Sequence, residues 1–423
     1  MWKNILKFSW RNIWRNRRRT MFTVIAIVFG LISLIFMKSY IKGFMNSFNE
    51  VLVKAEIGHV RLAHTEYLRL ERIMPKEHLI TGVNRIKAEI AELPEVDLVF
   101  GRIKFNVLLS HGDKNEPAIV IGIDPAAADK SMDLSKTIVG GEYFDGKGLE
   151  LIIGKKLAKE LDAAVDEELL LVTSDINFST YALPFNIVGM FEFGMSTYDK
   201  NMLYIPLQKA QEMLDCPDAV HEMLIFLKDP AQAHMVAEKV AKILGQSDPG
   251  GAIRVIPWQE HDLVANMTPI VENMFGKITG MIMLIVALVI LNTMLMAVME
   301  RYHEIGVIKA MGFKNREIFL MILAEAFYIG VIGSVIGGIL GGSLSAYLEK
   351  IGIDLNALSG GMMDKIDMPF PFFGSRLYPD LTLEILIGSI LFGLVVALLA
   401  VLYPAYKSAK MQPVEAFRSE LKV

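Results

Sequence analysis

Phosphate binding, metal binding and nucleophilic attack each demand particular residues at particular spacings. Gly141, Gly146, Lys147 and Gly148 stand in the run G-E-Y-F-D-G-K-G. A phosphate-binding loop needs a hydroxyl directly after the lysine to hold magnesium, and free backbone N–H groups to cradle phosphate. Here Gly148 replaces the hydroxyl, and Glu142 and Asp145 put two acids inside the loop, so the run reads as a turn. His221–Glu222 and His303–Glu304 are His-Glu pairs, but Ile225 and Val307 stand where a zinc site would need its second histidine. No G-x-S-x-G elbow occurs. The sequence thus gives no catalytic residue, no metal ligand and no cofactor bound by this chain.

The residues that do form a pattern bear on movement and packing. Glu300 to Lys314 reads E-R-Y-H-E-I-G-V-I-K-A-M-G-F-K. Ile305, Ile308 and Met311 share one face of a short helix, and Gly312 is placed to end it. Such a helix can dock in a groove on a soluble partner; the plainer reading is a solvated connection. Gly333, Gly337 and Gly341, with Gly338 and Gly342, are small residues four apart in an apolar run. In lipid this spacing means close helix approach, to another span or to a second copy. Glu325 lies in the same run, near its charged end, where a paired structural role is favoured over a proton relay.

These residues need a membrane around them. Of the 423 residues, 53% are hydrophobic and 21% charged, with a mean hydropathy of +0.40. Four runs, Thr20–Met37, Ile278–Met299, Ala326–Leu348 and Ile385–Tyr406, are long enough for about 30 Å of hydrocarbon. The first exceeds a signal peptide's apolar stretch and no small-x-small site follows, so it reads as a retained span. Lys3, Lys7, Arg11, Arg15, Arg17, Arg18 and Arg19 precede it without an acid. Arg301, Lys309, Lys314 and Arg316 lie between spans two and three, and Lys407, Lys410, Arg418 and Lys422 follow span four. Basic residues stay cytoplasmic, which places both termini inside.

The expected organisation is therefore an α-helical integral membrane protein with four transmembrane helices and a large α+β extracytoplasmic domain between the first two. The expected divisions are an amphipathic interfacial helix over 1–16, a first span over 18–40 and an extracytoplasmic domain of two lobes over 41–275. A second span over 276–299, a coupling helix over 300–316, a third span over 318–348, an outer loop over 349–383, a fourth span over 384–406 and a cytoplasmic tail over 407–423 follow. In the first segment Trp2, Leu6, Trp10, Ile13 and Trp14 share a face opposite Lys3, Lys7, Arg11 and Arg15, a signature of a headgroup-level helix. Strands are expected at 59–63, 118–123, 149–153, 169–173, 185–191, 202–205, 223–227 and 253–256. Helices are expected at 81–93, 155–161, 207–214 and 231–244, with helical stalks at 44–54 and 262–274. Cys216 is the single cysteine, so no internal disulfide can brace the outer domain. Residues 41–275 carry 23 Lys/Arg against 35 Asp/Glu, read as a solvated surface rather than a face for a basic partner. No basic face suggests nucleic acid.

Glu300, Arg301, Glu304, Ile305, Gly306, Ala310 and Gly312 match the E-R-x-x-E-I-G-x-x-x-A-x-G stretch that marks FtsX/MacB-like (type VII) ABC transporter permeases. Pro404, Ala405, Pro413, Glu415 and Ala416 resemble that family's closing P-A and P-x-E-A elements. The layout of one span, outer domain and three spans is similar too. The resemblance implies a non-catalytic permease subunit in a bacterial inner (plasma) membrane, acting as a dimer with a second copy or a paralogue. It implies two cytoplasmic ABC ATPase subunits that carry the ATP and magnesium and contact Glu300, Arg301, Glu304, Ile305, Gly306, Lys309, Ala310, Met311 and Gly312. The outer domain and Gly58–Leu62 look most like the lipoprotein-releasing LolC/LolE branch. That implies a lipoprotein substrate and a periplasmic chaperone, against drug or peptide efflux through an outer-membrane duct, or signalling to cell-wall hydrolases. Four spans with few polar groups make a poor pore but can transmit motion. Phe36, Met37, Phe44, Met45, Met274, Phe275 and Ile278 form an apolar, adaptable region at the outer ends of spans one and two. A lipid-anchored substrate could enter there from the bilayer; the plainer reading is that these side chains face lipid or each other.

Overall fold

The computed structural model describes residues 9–11, 13–15, 17–177, 179–193, 196–247, 251–300, 302–354 and 376–410. In chain order its elements are α1 (Arg17–Leu52), β1 (Val60–His64), α2 (Thr65–Arg69), β2 (Ile80–Thr81), α3 (Val83–Ala91), β3 (Val96–His111), β4 (Lys114–Ile123) and α4 (Pro125–Met132). Next come β5 (Ile138–Gly141), β6 (Glu150–Gly154), α5 (Lys155–Glu160), β7 (Glu168–Ser174), β8 (Thr180–Phe191), α6 (Ser196–Asn201), β9 (Met202–Pro206) and α7 (Leu207–Leu214). β10 (Ala219–Val220), β11 (Glu222–Leu227), α8 (Ala233–Ser247), β12 (Ile253–Pro257), α9 (Asp262–Glu300) and α10 (Tyr302–Ala310) follow. α11 (Asn315–Ile351), β13 (Ile353–Asp354), β14 (Arg376–Leu377) and α12 (Leu383–Lys410) complete the chain. The described residues form two compact units, one within 9–46, 268–354 and 376–410, the other within 47–267.

The first unit is helical. Four helices among the described residues are long and apolar enough to cross a membrane: Thr20–Ile57, Asp262–Thr293, Asn315–Ile351 and Leu383–Lys410. At 1.5 Å per residue, the 37 residues of α11 reach about 55 Å, well beyond a bilayer's hydrocarbon. α11 packs through two glycine rows. A Cβ on Gly333 would lie 2.8 Å from Ile27, and one on Gly337 2.9 Å from Leu31, both on α1. On its other side a Cβ on Gly338 would lie 2.6 Å from Ile390, and one on Gly342 3.2 Å from Leu386, both on α12. A Cβ on Gly341 would lie 3.1 Å from the Ile32 backbone. The glycines therefore serve spans of the same chain, on two faces.

A contact absent from the sequence reading lies at the outer end of α1. A Cβ on Gly43 would fall 2.0 Å from the Tyr378 carbonyl oxygen. Asp380 N–H donates to the Ser39 carbonyl at 2.9 Å, and Asn46 donates to the Asp380 carboxylate at 2.8 Å. The bare backbone at Gly43 lets the segment before α12 lie directly on the helix.

The second unit is α+β, built on one sheet in the order β12-β1-β11-β3-β4-β9-β6-β8-β5, with β7 pairing both β3 and β8. That extra pairing closes a ring: β3-β4-β9-β6-β8-β7 and back to β3. Phe105, Val107 and Leu109 of β3 alternate inward with Leu151 and Ile153, Leu169 and Leu171, Phe185 and Ile187, and Leu203 and Ile205, filling the barrel. The barrel is packed solid and offers no channel. The remaining strands β11, β1 and β12 form an open flap, on which Val236 and Val240 of α8 and Ile86 and Ile90 of α3 join the same core. The two parts share a core as well as β3.

Every expected strand and helix in this unit has a counterpart, displaced by a few residues at its ends. β3, the longest strand, was not expected. Its residues 96–102 pair with β11 and residues 103–111 with β4, so it serves the flap and then the barrel. Ile103, Phe105 and Val107 alternate with Arg102, Lys104 and Asn106, the period-two pattern of a strand, so the signal was present and was missed. The G-E-Y-F-D-G-K-G run begins at the end of edge strand β5 and leads to strand β6, with no helix following. Three of its N–H groups are already taken: Glu142 N–H donates to the Val188 carbonyl, Asp145 N–H to Glu150 and Lys147 N–H to Asp145.

Candidate functional site

Two places carry ordered polar chemistry, one in each unit. In the helical unit it is the segment between α9 and α11. α10 covers only Tyr302–Ala310, shorter than the expected 300–316: Glu300 ends α9, Arg301 lies outside the described residues, and Gly312, at φ +97°, breaks the chain direction before α11. Lys314 N–H donates to Glu317 at 2.8 Å, capping the start of α11. Ile305 is not on a partner-facing surface, contrary to the expected apolar face. It is 3% exposed and packs in one cluster with Ile13, Ile318 and Ile322. Gly306 is buried too, while Ile308 and Lys309 are half-buried. The exposed residues are Glu304, Val307, Ala310, Met311, Gly312 and Phe313, with Met311 74% open.

Polar contacts to distant parts of the chain hold this segment. Arg15 is paired with Glu304, and Lys309 donates to the Ala409 carbonyl at 2.8 Å. The segment before α1 is itself anchored: Ser9 donates to the Met321 carbonyl at 3.0 Å and Trp10 packs edge-on against Tyr328. Trp10 and Trp14 are exposed while Ile13, expected on the same face, is buried; Trp2, Lys3, Leu6 and Lys7 lie outside the described residues. The α10 segment thus rests on the N-terminal segment and on the end of α12. Glu325 is buried within α11.

At the outer ends of the first two spans, Phe36, Met37, Phe44 and Phe275 are half-buried, while Met274 and Ile278 are exposed. Met45 is 8% exposed and so does not belong to an open apolar surface. The Tyr40 ring meets Phe275 at 6.5 Å, joining α1 to α9.

In the α+β unit, α1 runs on into a wider turn, Val53–Ile57, that ends at Gly58 with φ +63°. Only glycine adopts that backbone freely, and a Cβ there would press on Leu224 and Ile225. Arg102 of β3 donates to the carbonyls of Ala55 and Glu56 in this turn and pairs with Glu222 of β11. Lys104 bonds the Glu56 carboxylate at 2.5 Å, and Tyr198 donates to its other oxygen at 2.5 Å. Arg61 of β1 donates to Glu222 at 2.6 Å and Glu71 at 2.5 Å, and to Nε2 of His261 at 2.9 Å. His261 immediately precedes α9, and its carbonyl accepts the Ala265 N–H. One charge cluster therefore grips both the last turn of α1 and the first turn of α9.

The cluster is balanced: Arg61, Arg102 and Lys104 face Glu56, Glu71 and Glu222. Arg61 is 2% exposed, Arg102 1% and Glu222 0%. Burial by itself would raise the Glu56 carboxyl, but Lys104 and Arg102 outweigh it and hold it down at about 2. Burial likewise opposes ionised Glu222, and the three cations around it keep it well below the carboxylate range. Arginine only donates, so His261 Nε2 must accept and the ring must be neutral. Burial first, and Arg61 second, lower its proton affinity accordingly. His221, stacked on Tyr67 at 4.9 Å, is pushed down to about 4, chiefly by burial.

Sequence reasoning missed this cluster. Glu222 was weighed only as half of a His-Glu pair. The available signal was charge inside strand-like runs: Arg61 in V-R-L-A, Arg102 and Lys104 in F-G-R-I-K-F, Glu222 in V-H-E-M-L-I-F. Lys, Arg and Glu seldom go inside a fold unless paired.

The model of the FtsX-like permease C-terminal domain matches residues 276–413. That of the MacB-like periplasmic core domain matches residues 20–243, more than half of the chain. The chain belongs to the FtsX/MacB-type ABC transporter permeases. An uncharacterised ABC transporter permease of Methanocaldococcus jannaschii is similar along 99% of this chain and 98% of its own, at 21% identity. The lipoprotein-releasing system transmembrane protein LolC of Xylella fastidiosa is 24% identical over 74% of this chain and 75% of its own. The pyoverdine export ATP-binding/permease protein PvdT of Pseudomonas syringae is 24% identical over 98% of this chain and 59% of its own. Among solved structures, the extracellular domain of the transporter YknZ from Gram-positive bacteria aligns with 47% of this chain and 98% of its own, at 13% identity and a TM-score of 0.35. The periplasmic region of MacB from Actinobacillus actinomycetemcomitans aligns with 51% and 95%, at 9% identity and a TM-score of 0.37. As an FtsX/MacB-type permease the chain is a membrane protein with an extracellular domain. It works with an ABC ATPase, and the family's permease subunits are generally non-catalytic.

Proposed function

We propose that this permease converts movement of a cytoplasmic ATPase into movement of its outer domain, with both termini inside the cell and a second permease copy or paralogue beside it. ATP and magnesium belong to two partner ATPase subunits. The exposed face of the α10 segment, Glu304, Val307, Ala310, Met311 and Phe313, receives the push. The buried cluster around Glu222 carries the reading: it fastens α1 and α9, each continuous from the helical unit, to the strands of the outer domain. A helix that is rigid along its axis and clamped by several charge-assisted bonds passes on displacement instead of absorbing it.

The cargo we infer is a lipoprotein drawn from the outer leaflet past Phe36, Met37, Phe44, Met274, Phe275 and Ile278, and handed to a periplasmic chaperone. The similarity to LolC favours it. The similarity to PvdT, which extends over 98% of this chain, favours export of a soluble cargo as the second reading. Depleting the protein and fractionating membranes separates them: lipoproteins retained in the inner membrane support release, and unchanged sorting removes it. ATPase assays of the assembled complex with Met311→Asp test the docking face. The expected result is uncoupled or lost stimulation, and an unchanged rate excludes this face.

A further inference from the structure

The flap of the α+β unit holds a cavity that neither the charge cluster nor the α10 face uses. It measures about 360 Å³, within the range of small-ligand sites. Its apolar lining includes Ile80 of β2, Ile86 of α3 and Leu244 of α8, which are 1%, 4% and 3% exposed. Arg85 of α3 and His64 at the end of β1 line it as well. No carboxylate is among the described residues that line it.

Both polar side chains can donate. Glu66 N–H donates to His64 Nδ1 at 3.2 Å, so the ring's hydrogen stands on Nε2. His78 stacks on that ring at 5.2 Å, with 17° between the planes, and steadies it. Arg85 meets Glu89 through Nε at 3.4 Å, with side chains 64% and 40% exposed. An exposed pair of this kind is cheap to exchange, and a guanidinium can take a carboxylate through two parallel N–H bonds. The first turn of α3 adds nothing, because the Val83 and Asn84 N–H groups already donate to Asp218.

Donors beside an apolar lining suit an anion with an apolar body. The lack of an acid disfavours an ammonium group, which would be left unpaired. A free amino acid therefore fits worse than a peptide end, whose nitrogen is a neutral amide. β2 and β12 border the cavity, and each pairs with a strand on one side only. An open strand edge can pair with the backbone of an extended peptide. We propose that this cavity holds the apolar C-terminal residue of an extended peptide. Its carboxylate meets Arg85 and His64, and its side chain meets Ile80, Ile86 and Leu244. The site stands apart from the transmission of movement and does not depend on it.

The test is calorimetric titration of full-length protein in nanodiscs, blanked against empty nanodiscs, with acetyl-Gly-Gly-Leu as the probe. Saturable binding is expected. The amide of the same peptide, which lacks the charge, should bind about ten-fold more weakly, and Arg85→Gln should weaken the acid to a similar degree. Arg85→Lys should lose less. Glu89→Gln removes the competing carboxylate and should tighten binding about two-fold. Arg85 and Glu89 are exposed, so these variants should keep the parent melting temperature. Ala252→Leu, which enlarges a side chain of the lining, should abolish binding. Absence of binding at millimolar peptide overturns the site. Equal binding of acid and amide, or undiminished binding by Arg85→Gln, overturns the carboxylate contact and the proposal with it. Octanoate or free leucine binding as tightly as the peptide overturns the peptide assignment.

Discussion

The two charged regions of this permease are built on opposite terms. Around Glu222 three cations and three carboxylates meet, and Arg61, Arg102 and Glu222 among them are almost wholly removed from water. At α10 the Arg15–Glu304 pair is open, with side chains 57% and 46% exposed. A buried pair adds little net stability over an apolar core but is costly to break, because the survivor is left uncompensated. An exposed pair is cheap to break and remake. The first suits a junction that must not yield. The second suits a surface that exchanges its own contacts for those of a moving partner.

That contrast can be broken experimentally. Glu222→Gln should cost about 3–5 kcal/mol, read as a drop in the melting temperature of the purified full-length protein. A change of under about 1 kcal/mol would mean that water reaches the cluster and that it is no clamp. Acidification should act next. His221, at about 4 in the folded protein against 6.5 unfolded, binds its proton more weakly when folded. Its contribution is fully present above pH 6.5 and is lost as pH falls through about 4. The linkage, roughly 1.4 kcal/mol per pH unit in that window, should be much reduced in His221→Phe. Gly341→Leu should follow, at about 1–3 kcal/mol from overpacking against α1, and should separate the helices before it disturbs the sheet. The smallest thermodynamic effect belongs to Arg15→Ala, at most about 1 kcal/mol of stability. Yet if α10 is steered by the N-terminal segment, the variant should lose stimulated ATPase activity in the complex while its melting curve stays put. Should Arg15→Ala unfold the protein as severely as Glu222→Gln, the distinction between clamp and exchangeable surface disappears.

The membrane half of the protein was legible because lipid enforces simple rules. A span must be long and apolar, and small residues four apart mark close approach. The partner of the glycines was not legible: Gly333 and Gly337 against α1, and Gly338 and Gly342 against α12, become distinct only when the angle between helices is known. Most of the longer outer strands were visible in the sequence; β3 was missed although Ile103, Phe105 and Val107 alternate with Arg102, Lys104 and Asn106, and the short strands β2, β5 and β10 are too brief to show a period. Ile305 was misjudged because its spacing with Ile308 and Met311 describes a face without saying what lies against it; it is buried in a cluster that includes Ile13, almost 300 residues earlier in the chain. Met45 was misplaced for the same reason.

By itself, then, the sequence determined that this chain spans a membrane, that it carries an α+β outer domain and no phosphate loop, and that its family motif lies at Glu300–Gly312. These follow from local composition and spacing, which every folded state of the chain must respect. Only the tertiary structure decided that β7 closes the barrel and that Arg61, Arg102, Glu56, Glu222 and His261 form one cluster. It also showed that the outer ends of α1 and α9 meet that cluster. The physical reason is range: hydrogen bonds and ion pairs join residues 200 positions apart and more, as Arg61 joins His261 and Arg15 joins Glu304, and no local pattern records which charges will meet.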